Sequence, residues 1–314
     1  MRNVIAYALR RFAQAILTIF LVTLLVFFLY QLIPLHGSES IPSITDSPAQ
    51  AAALAAQPPI AQYFHMIGMW LTGNLGYFAP YNEPLSLLLG GAMQESAVLV
   101  VGALIVSFAI GIPLGLAQGY RQGRTFDRVT TVIAFVLMAT PLFFAGQLLS
   151  NWFTYRLPIF PADDTNSGQL GSILLDFGAM ILPIVTLALP NIARLSRISR
   201  SAVLDQMYSD YVRTARSKGC STTRIIWRHV FRNSLIPILT FIGLSLPLLF
   251  SGALVVESLF NIQGLGYYLW QAALPTHLYY QVEIGVLLLS ATVIVFANLL
   301  VDLTLLFVDP RIAR

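Results

Sequence analysis

The chain has 314 residues, 57% of them hydrophobic and only 10% charged, and its mean hydropathy is +0.74. A soluble domain carries about 25% charged residues, so this supply cannot cover a water-facing surface, and the solvent that fits the composition is a lipid bilayer. Net charge is +4, one cysteine (Cys220) excludes an intrachain disulfide framework or a cysteine metal site, and the one lysine, Lys218, is followed by Gly219. A phosphate-binding P-loop needs Lys-Ser or Lys-Thr, so any ATP chemistry would come from another chain.

Met1–Arg11 is basic and leads into the apolar run Phe12–Pro34. That run is longer than a signal-peptide core and has no small-residue cleavage site after it, so a retained first span is expected. About 20 apolar residues cross the hydrocarbon core. Charge-free stretches of that order follow at Ala97–Tyr120, Val129–Tyr155, Phe177–Ala193 and Ser234–Val256, and a sixth, Ile284–Val308, is interrupted by Asp302 alone. Prolines 113, 141, 183, 190 and 247 are tolerated where neighbours satisfy the freed backbone groups. Gly102, Ala109, Gly111 and Gly115 are expected at close helix contacts.

The organisation predicted is therefore a tail and first span (1–35), an extracytoplasmic loop (36–95) and a five-span core (96–314). The early loop, Gly37–Pro59, is rich in Ser, Pro and Ala and reads as loosely packed. Ile60–Asn82 and Ser258–Val282 also lack Lys and Arg, but their polar residues, Gly and Pro place them at the interface or in extracytoplasmic turns. With six spans and both termini in the cytoplasm, all basic residues except Arg156 fall inside; a seventh span at Ser258–Val282 would move Arg311 and Arg314 outside. The positive-inside rule favours six.

Half of the basic residues lie between Arg194 and Arg232. Arg194, Arg197 and Arg200 continue the fourth span into water at helical spacing. Ser209 and Asp210 have the form of an N-cap and first-turn acid for a helix ending near Lys218, with Gly219 as its stop. Ser221 or Thr222 then caps a second helix, with Arg224, Arg228 and Arg232 on one face and Ile226, Trp227, Val230 and Phe231 on an apolar side. Topology alone would explain the number of arginines but not a glycine break between two capped helices. An intracellular docking element is preferred over a bare topogenic loop, and nucleic-acid binding comes third.

Asp302 is the one acid inside a predicted span, near its cytoplasmic end, and reads as a structural intramembrane acid rather than a proton relay. Glu257 marks the outer end of the fifth span. His36, His65, His229 and His277 lack metal-ligand spacing, so no metal site is expected, and no Gly-x-Ser-x-Gly element suggests a hydrolase. Tyr267, Tyr268, Trp270, Tyr279 and Tyr280 read as an outer aromatic belt. A self-sufficient secondary transporter or channel would show midplane ionisable groups or an internal repeat, and an intramembrane enzyme a polar constellation at depth; neither is evident.

Asp210–Gly219 (DYVRTARSKG), followed by Arg228-His229 and Arg232-Asn233, resembles the EAA loop of ATP-binding-cassette (ABC) importer permeases. The branch it is most similar to is the dipeptide/oligopeptide/nickel permease family, B-type subunit. Val256–Phe260, Gly264-Leu265-Gly266, Asn298–Asp302 and Asp309-Pro310-Arg311 fit in order, as do Arg10-Arg11-Phe12 and Leu32-Ile33-Pro34. The chain departs from the general pattern at Arg213-Thr214-Ala215, where an acid-Ala-Ala triplet would stand. It departs again at Leu35-His36-Gly37, Ile262-Gln263 and Leu278-Tyr279-Tyr280 on the outer side.

The resemblance implies a type I ABC-importer permease fold in a prokaryotic plasma membrane, with no catalytic residues and no cofactor in this chain. It implies a second homologous permease, two cytoplasmic ATPase subunits that bind ATP and Mg²⁺, an extracytoplasmic solute-binding protein, and lipid around the spans. ATPase coupling would fall to Arg213, Thr214, Ala215, Gly219, Ser221, Thr222, Arg224 and Arg228. The cargo implied is peptides, with nickel chelates and other small solutes carried by related permeases.

Overall fold

The computed structural model describes residues 2–32, 56–78, 83–161, 177–274 and 280–308. Its helices are α1 (Arg2–Leu32), α2 (Pro59–Leu71), α3 (Leu85–Tyr120), α4 (Thr125–Ala139), α5 (Leu142–Ser150), α6 (Phe177–Met207), α7 (Asp210–Ser217), α8 (Phe231–Leu259), α9 (Leu265–Ala272) and α10 (Tyr280–Val308). A two-residue antiparallel ladder, β1 (Tyr77–Phe78) with β2 (Glu83–Pro84), precedes α3. Among the described residues five helices are long and apolar enough to cross a membrane, and α4 with α5 and its π-helical extension Asn151–Arg156, bent by 102°, makes a sixth when taken as one broken span. This is the six-span all-α architecture predicted from the apolar runs. Most of the segment Gly37–Pro59, and the tail Asp309–Arg314, lie outside the described residues.

The bend has a local cause. Thr140 precedes Pro141, whose ring keeps the residue before it out of the helical region. Thr140 sits at φ −75°, ψ 124°, and its amide and hydroxyl both donate to the Val136 carbonyl. The run Val129–Tyr155 predicted one continuous span; the proline at its middle turns it into two half-helices. Pro113, Pro183, Pro190 and Pro247 stay inside continuous helices.

The bundle is organised around α3 packed on α6. Gly111, Gly115 and Gly119 recur every four residues along α3 and face Ile192–Val203 of α6. A methyl group at Gly115 would run into the Ser196 carbonyl oxygen. Between helices in lipid the hydrophobic drive is weak, so close van der Waals approach of this kind does much of the work of association. Ala109, expected in this contact, is exposed, and Gly119 takes the place instead. α8 covers another side of α6 through Leu187, Leu249 and Val256, all nearly fully buried.

Two boundaries differ from the hydropathy reading. α3 starts at Leu85, inside the segment 36–95 expected as loop, and carries Glu95 and Ser96 in buried positions. The cost that ended the predicted span at Glu95 applies to an acid facing lipid, whereas this one faces protein. α6 continues past Ala193 to Met207, and its arginines do not simply enter water. Arg200 grips Asp127 through two hydrogen bonds of 2.7 and 2.9 Å, while Gly123 N donates to the same carboxylate at 2.9 Å. The Arg197 guanidinium lies 4.5 Å from the Phe135 ring centre. These contacts fasten α4 to α6 at its first turn and again at Phe135.

α1 and α10 pair along the opposite flank. Arg11 Nη1 lies 3.4 Å from Asp302 Oδ2, so the acid has a cation for a neighbour. α2, with 13 residues, is roughly 20 Å long and too short to cross. It lies against α1 and α10 through Tyr63, Met66, Phe27 and Leu288, and the Tyr63 hydroxyl is 2.7 Å from Thr23 Oγ1.

Candidate functional site

The basic corner between α6 and α8 forms around a small apolar knot. α7 turns Val212 and Ala215 inward, where they meet Leu116 of α3 and Val203 of α6 together with Ile225 and Val230. All six residues are at most 8% exposed. The other face of α7 is polar and exposed, carrying Arg213, Thr214, Arg216 and Ser217. A helix of eight residues cannot hold itself in water, so its order depends on this packed stripe.

Gly219 ends α7 by a specific geometry. It adopts φ +75°, its N–H donates to the Arg216 carbonyl at 2.9 Å, and Cys220 N donates to the Ala215 carbonyl at 3.1 Å. That is a Schellman closure, and it turns the chain sharply back toward the knot. The predicted cap at the other end of α7 is not made. Ser209 occupies the N-cap position, but its hydroxyl donates backward to the Gln206 carbonyl at 2.6 Å. The Asp210–Arg213 pair, 3.9 Å apart on exposed side chains, contributes little.

Ser221 is the N-cap of the next turn, Thr222–Arg224, again without a side-chain cap bond. The chain then runs through a π-helical stretch, Ile225–Val230, directly into α8. A π turn brings residues five apart to the same face, and Ile225 and Val230 are accordingly both buried. An α-helical reading had placed Trp227 on the apolar side; it is 55% exposed and stacks edge-on with Phe231, 5.5 Å between ring centres. Arg224, Arg228 and Arg232 are exposed, but the π stretch breaks the regular i+4 stripe. Of the residues singled out in sequence, Ala215 is inside the knot. Arg213, Thr214, Gly219, Ser221, Thr222, Arg224 and Arg228 are on its outer surface.

At the far end of α8 lies a polar cluster that sequence reasoning did not identify. Glu257 is fully buried, and its carboxyl group accepts from Ser96 Oγ at 2.7 Å, Gly266 N at 2.7 Å and Tyr267 N at 3.2 Å. Ser96 Oγ in turn accepts from Leu265 N at 2.8 Å. One acid thus ties α3 and α8 to the positive N-terminal end of α9. The sequence signal was present in the two glycines of Gly264-Leu265-Gly266, since a methyl at Gly264 would collide with the Glu257 carboxyl.

Comparison with known proteins bears on this architecture. Residues 111–314 match the family described as binding-protein-dependent transport system inner membrane component. The chain is 32% identical over 339 aligned residues to the dipeptide transport system permease protein DppB of Escherichia coli (strain K12), covering 98% of each. It is 29% identical to DppB of Alkalihalophilus pseudofirmus, over 98% of this chain and 99% of that relative. A probable peptide ABC transporter permease protein of Sinorhizobium fredii is 30% identical over 98% of both. In fold the chain is similar to one from the MetNI methionine ABC transporter in an inward-facing conformation. The TM-score is 0.58 at 16% identity, over 71% of this chain and 96% of that one.

Proposed function

Since the chain belongs to the family of binding-protein-dependent transport system inner membrane components, we propose that it is the permease subunit of an ABC importer for peptides or similar small solutes. It stands beside a second homologous permease, and together they form the translocation path. An extracytoplasmic binding protein delivers the solute, and two cytoplasmic ATPase subunits, which hold the ATP and Mg²⁺, supply the drive. What favours peptides is the match over 98% of the chain to two dipeptide permeases.

The corner around α7 is the coupling element in this reading. Its outer face, from Arg213 to Arg228, docks in the ATPase subunit. Its inner face is continuous with the ends of α3 and α6 through Val212, Ala215, Leu116 and Val203. A packed knot of this kind moves as one body, so displacement of α7 displaces the ends of the spans. The observation that carries the reading is this two-faced α7, closed by Gly219, in a chain aligned end to end with ABC permeases.

The test is Gly219→Pro in the transporter assembled with its ATPases, second permease and binding protein. Proline lacks the N–H donated to Arg216 and cannot reach φ +75°. The expected result is a membrane-inserted chain whose transporter hydrolyses ATP without uptake. Normal uptake in this variant would refute the coupling role. Transport by the isolated wild-type chain in liposomes, without ATPase subunits, would overturn the importer reading altogether.

A further inference from the structure

A cavity of about 300 Å³ opens where the bent crossing meets α6 and α8. Its walls are apolar at Leu142 and Leu187, and polar residues also line it: Thr140 at the bend, Asn191 and Arg194 on α6, and Ser251 on α8. Solute sites have this make-up, an apolar wall with a few placed polar groups. Asn191 adds little surface to it: the residue is 5% exposed, its amide nitrogen donates to the Leu187 carbonyl at 3.3 Å, and its Oδ1 is buried away from the open space. One helical turn on, Arg194 lines the same space and, unlike Arg200, forms no ion pair among the described residues.

We infer that this cavity is a subsite for the carboxylate end of a short peptide in transit, with the Arg194 guanidinium taking the C-terminal carboxylate. The inference rests on the peptide reading above. The charges match in kind: a guanidinium offers paired donors to a carboxylate. Thr140 Oγ1 already donates to Val136, so its oxygen is left to accept. The site sits at the break between α4 and α5 and on α6, the helix whose far end carries the α7 knot, so movement of the knot would reach it directly.

The test uses the complete transporter in phosphatidylcholine vesicles, in a Cys220→Ala background with Ser251→Cys as reporter and Thr140→Cys as a second reporter. The rate of labelling by a small methanethiosulfonate is read against Ala-Ala, Ala-Ala-Ala and their C-terminal amides. The free acids should slow labelling, and the amides should need about tenfold more for equal protection, the worth of one charge-assisted hydrogen bond. Arg194→Gln should remove that difference, and Arg194→Lys should keep part of it. Uptake of the alanine peptides without protection of either cysteine would overturn the subsite and leave the peptide reading intact. Protection that is equal for acids and amides, or unchanged in Arg194→Gln, would also overturn it. Absence of alanine-peptide uptake by the wild-type transporter would instead remove the peptide reading, and the subsite with it.

Discussion

The two ends of α8 are held by opposite means. At the basic end, α7 and the turn before α8 are fixed by an apolar knot of Leu116, Val203, Val212, Ala215, Ile225 and Val230, and side-chain caps are missing at both Ser209 and Ser221. At the other end, a single buried acid, Glu257, accepts three directional hydrogen bonds and joins α3, α8 and α9. Apolar contacts are non-directional and let packed elements slide by small amounts, whereas a fully satisfied polar group accepts one geometry. The contrast suits a mobile handle at one end and a fixed anchor at the other.

Breaking the anchor should have the largest effect. Glu257→Ala leaves the Gly266 and Tyr267 amides and the Ser96 hydroxyl without their acceptor, around a carboxyl that has no solvent exposure. At about 1–3 kcal/mol for each unsatisfied group, a loss of about 3 kcal/mol or more is expected. It should appear as a lower thermal midpoint of the detergent-solubilised transporter. Glu257→Gln keeps one acceptor oxygen and should lose much less. An alanine variant as stable as wild type would dissolve the contrast between anchor and handle.

At the handle, Gly219→Ala should cost about 1–2 kcal/mol, because an L-residue with a side chain pays that for the left-handed region and nothing else opposes it. A Cβ there meets no atom within 4 Å. Gly219→Asn, better suited to that conformation, should fall between, as thermal melts of the two variants would show. A large loss for either would mean that the turn is packed against something, contrary to the open face. The smallest effect is expected at Ser209→Ala. A true N-cap substitution costs about 1 kcal/mol, whereas this hydroxyl bonds backward to Gln206, so a change below about 0.5 kcal/mol is expected in the same assay.

Much of the architecture was legible because the bilayer imposes a simple rule on composition. Apolar runs of span length and the crowding of arginines between 194 and 232 predicted six crossings and located the corner. Gly219 was legible as a helix stop, since few residues other than glycine are at ease at φ +75°. The detail around it was less so. Ser209 has the composition of a cap, yet whether a hydroxyl bonds forward or backward depends on where the end of α6 places Gln206. The π stretch at Ile225–Val230 leaves no mark in an i+4 count.

What the sequence alone determined, then, is the solvent, the number of crossings and the place of the basic corner, because these follow from the cost of exposing polar groups to lipid and from glycine's freedom of backbone. Tertiary structure decided where polar residues lie inside protein rather than in lipid. Glu95 and Ser96 extend α3 beyond its charge-free run, Glu257 at the end of α8 is an anchor as well as an end marker, and Arg200 pairs with Asp127 instead of water. Asn191 and Arg194, distant in sequence from Thr140 and Ser251, share a cavity with them. A hydropathy window prices each residue against one solvent, and only the packing of helices reveals which residues have exchanged that solvent for each other.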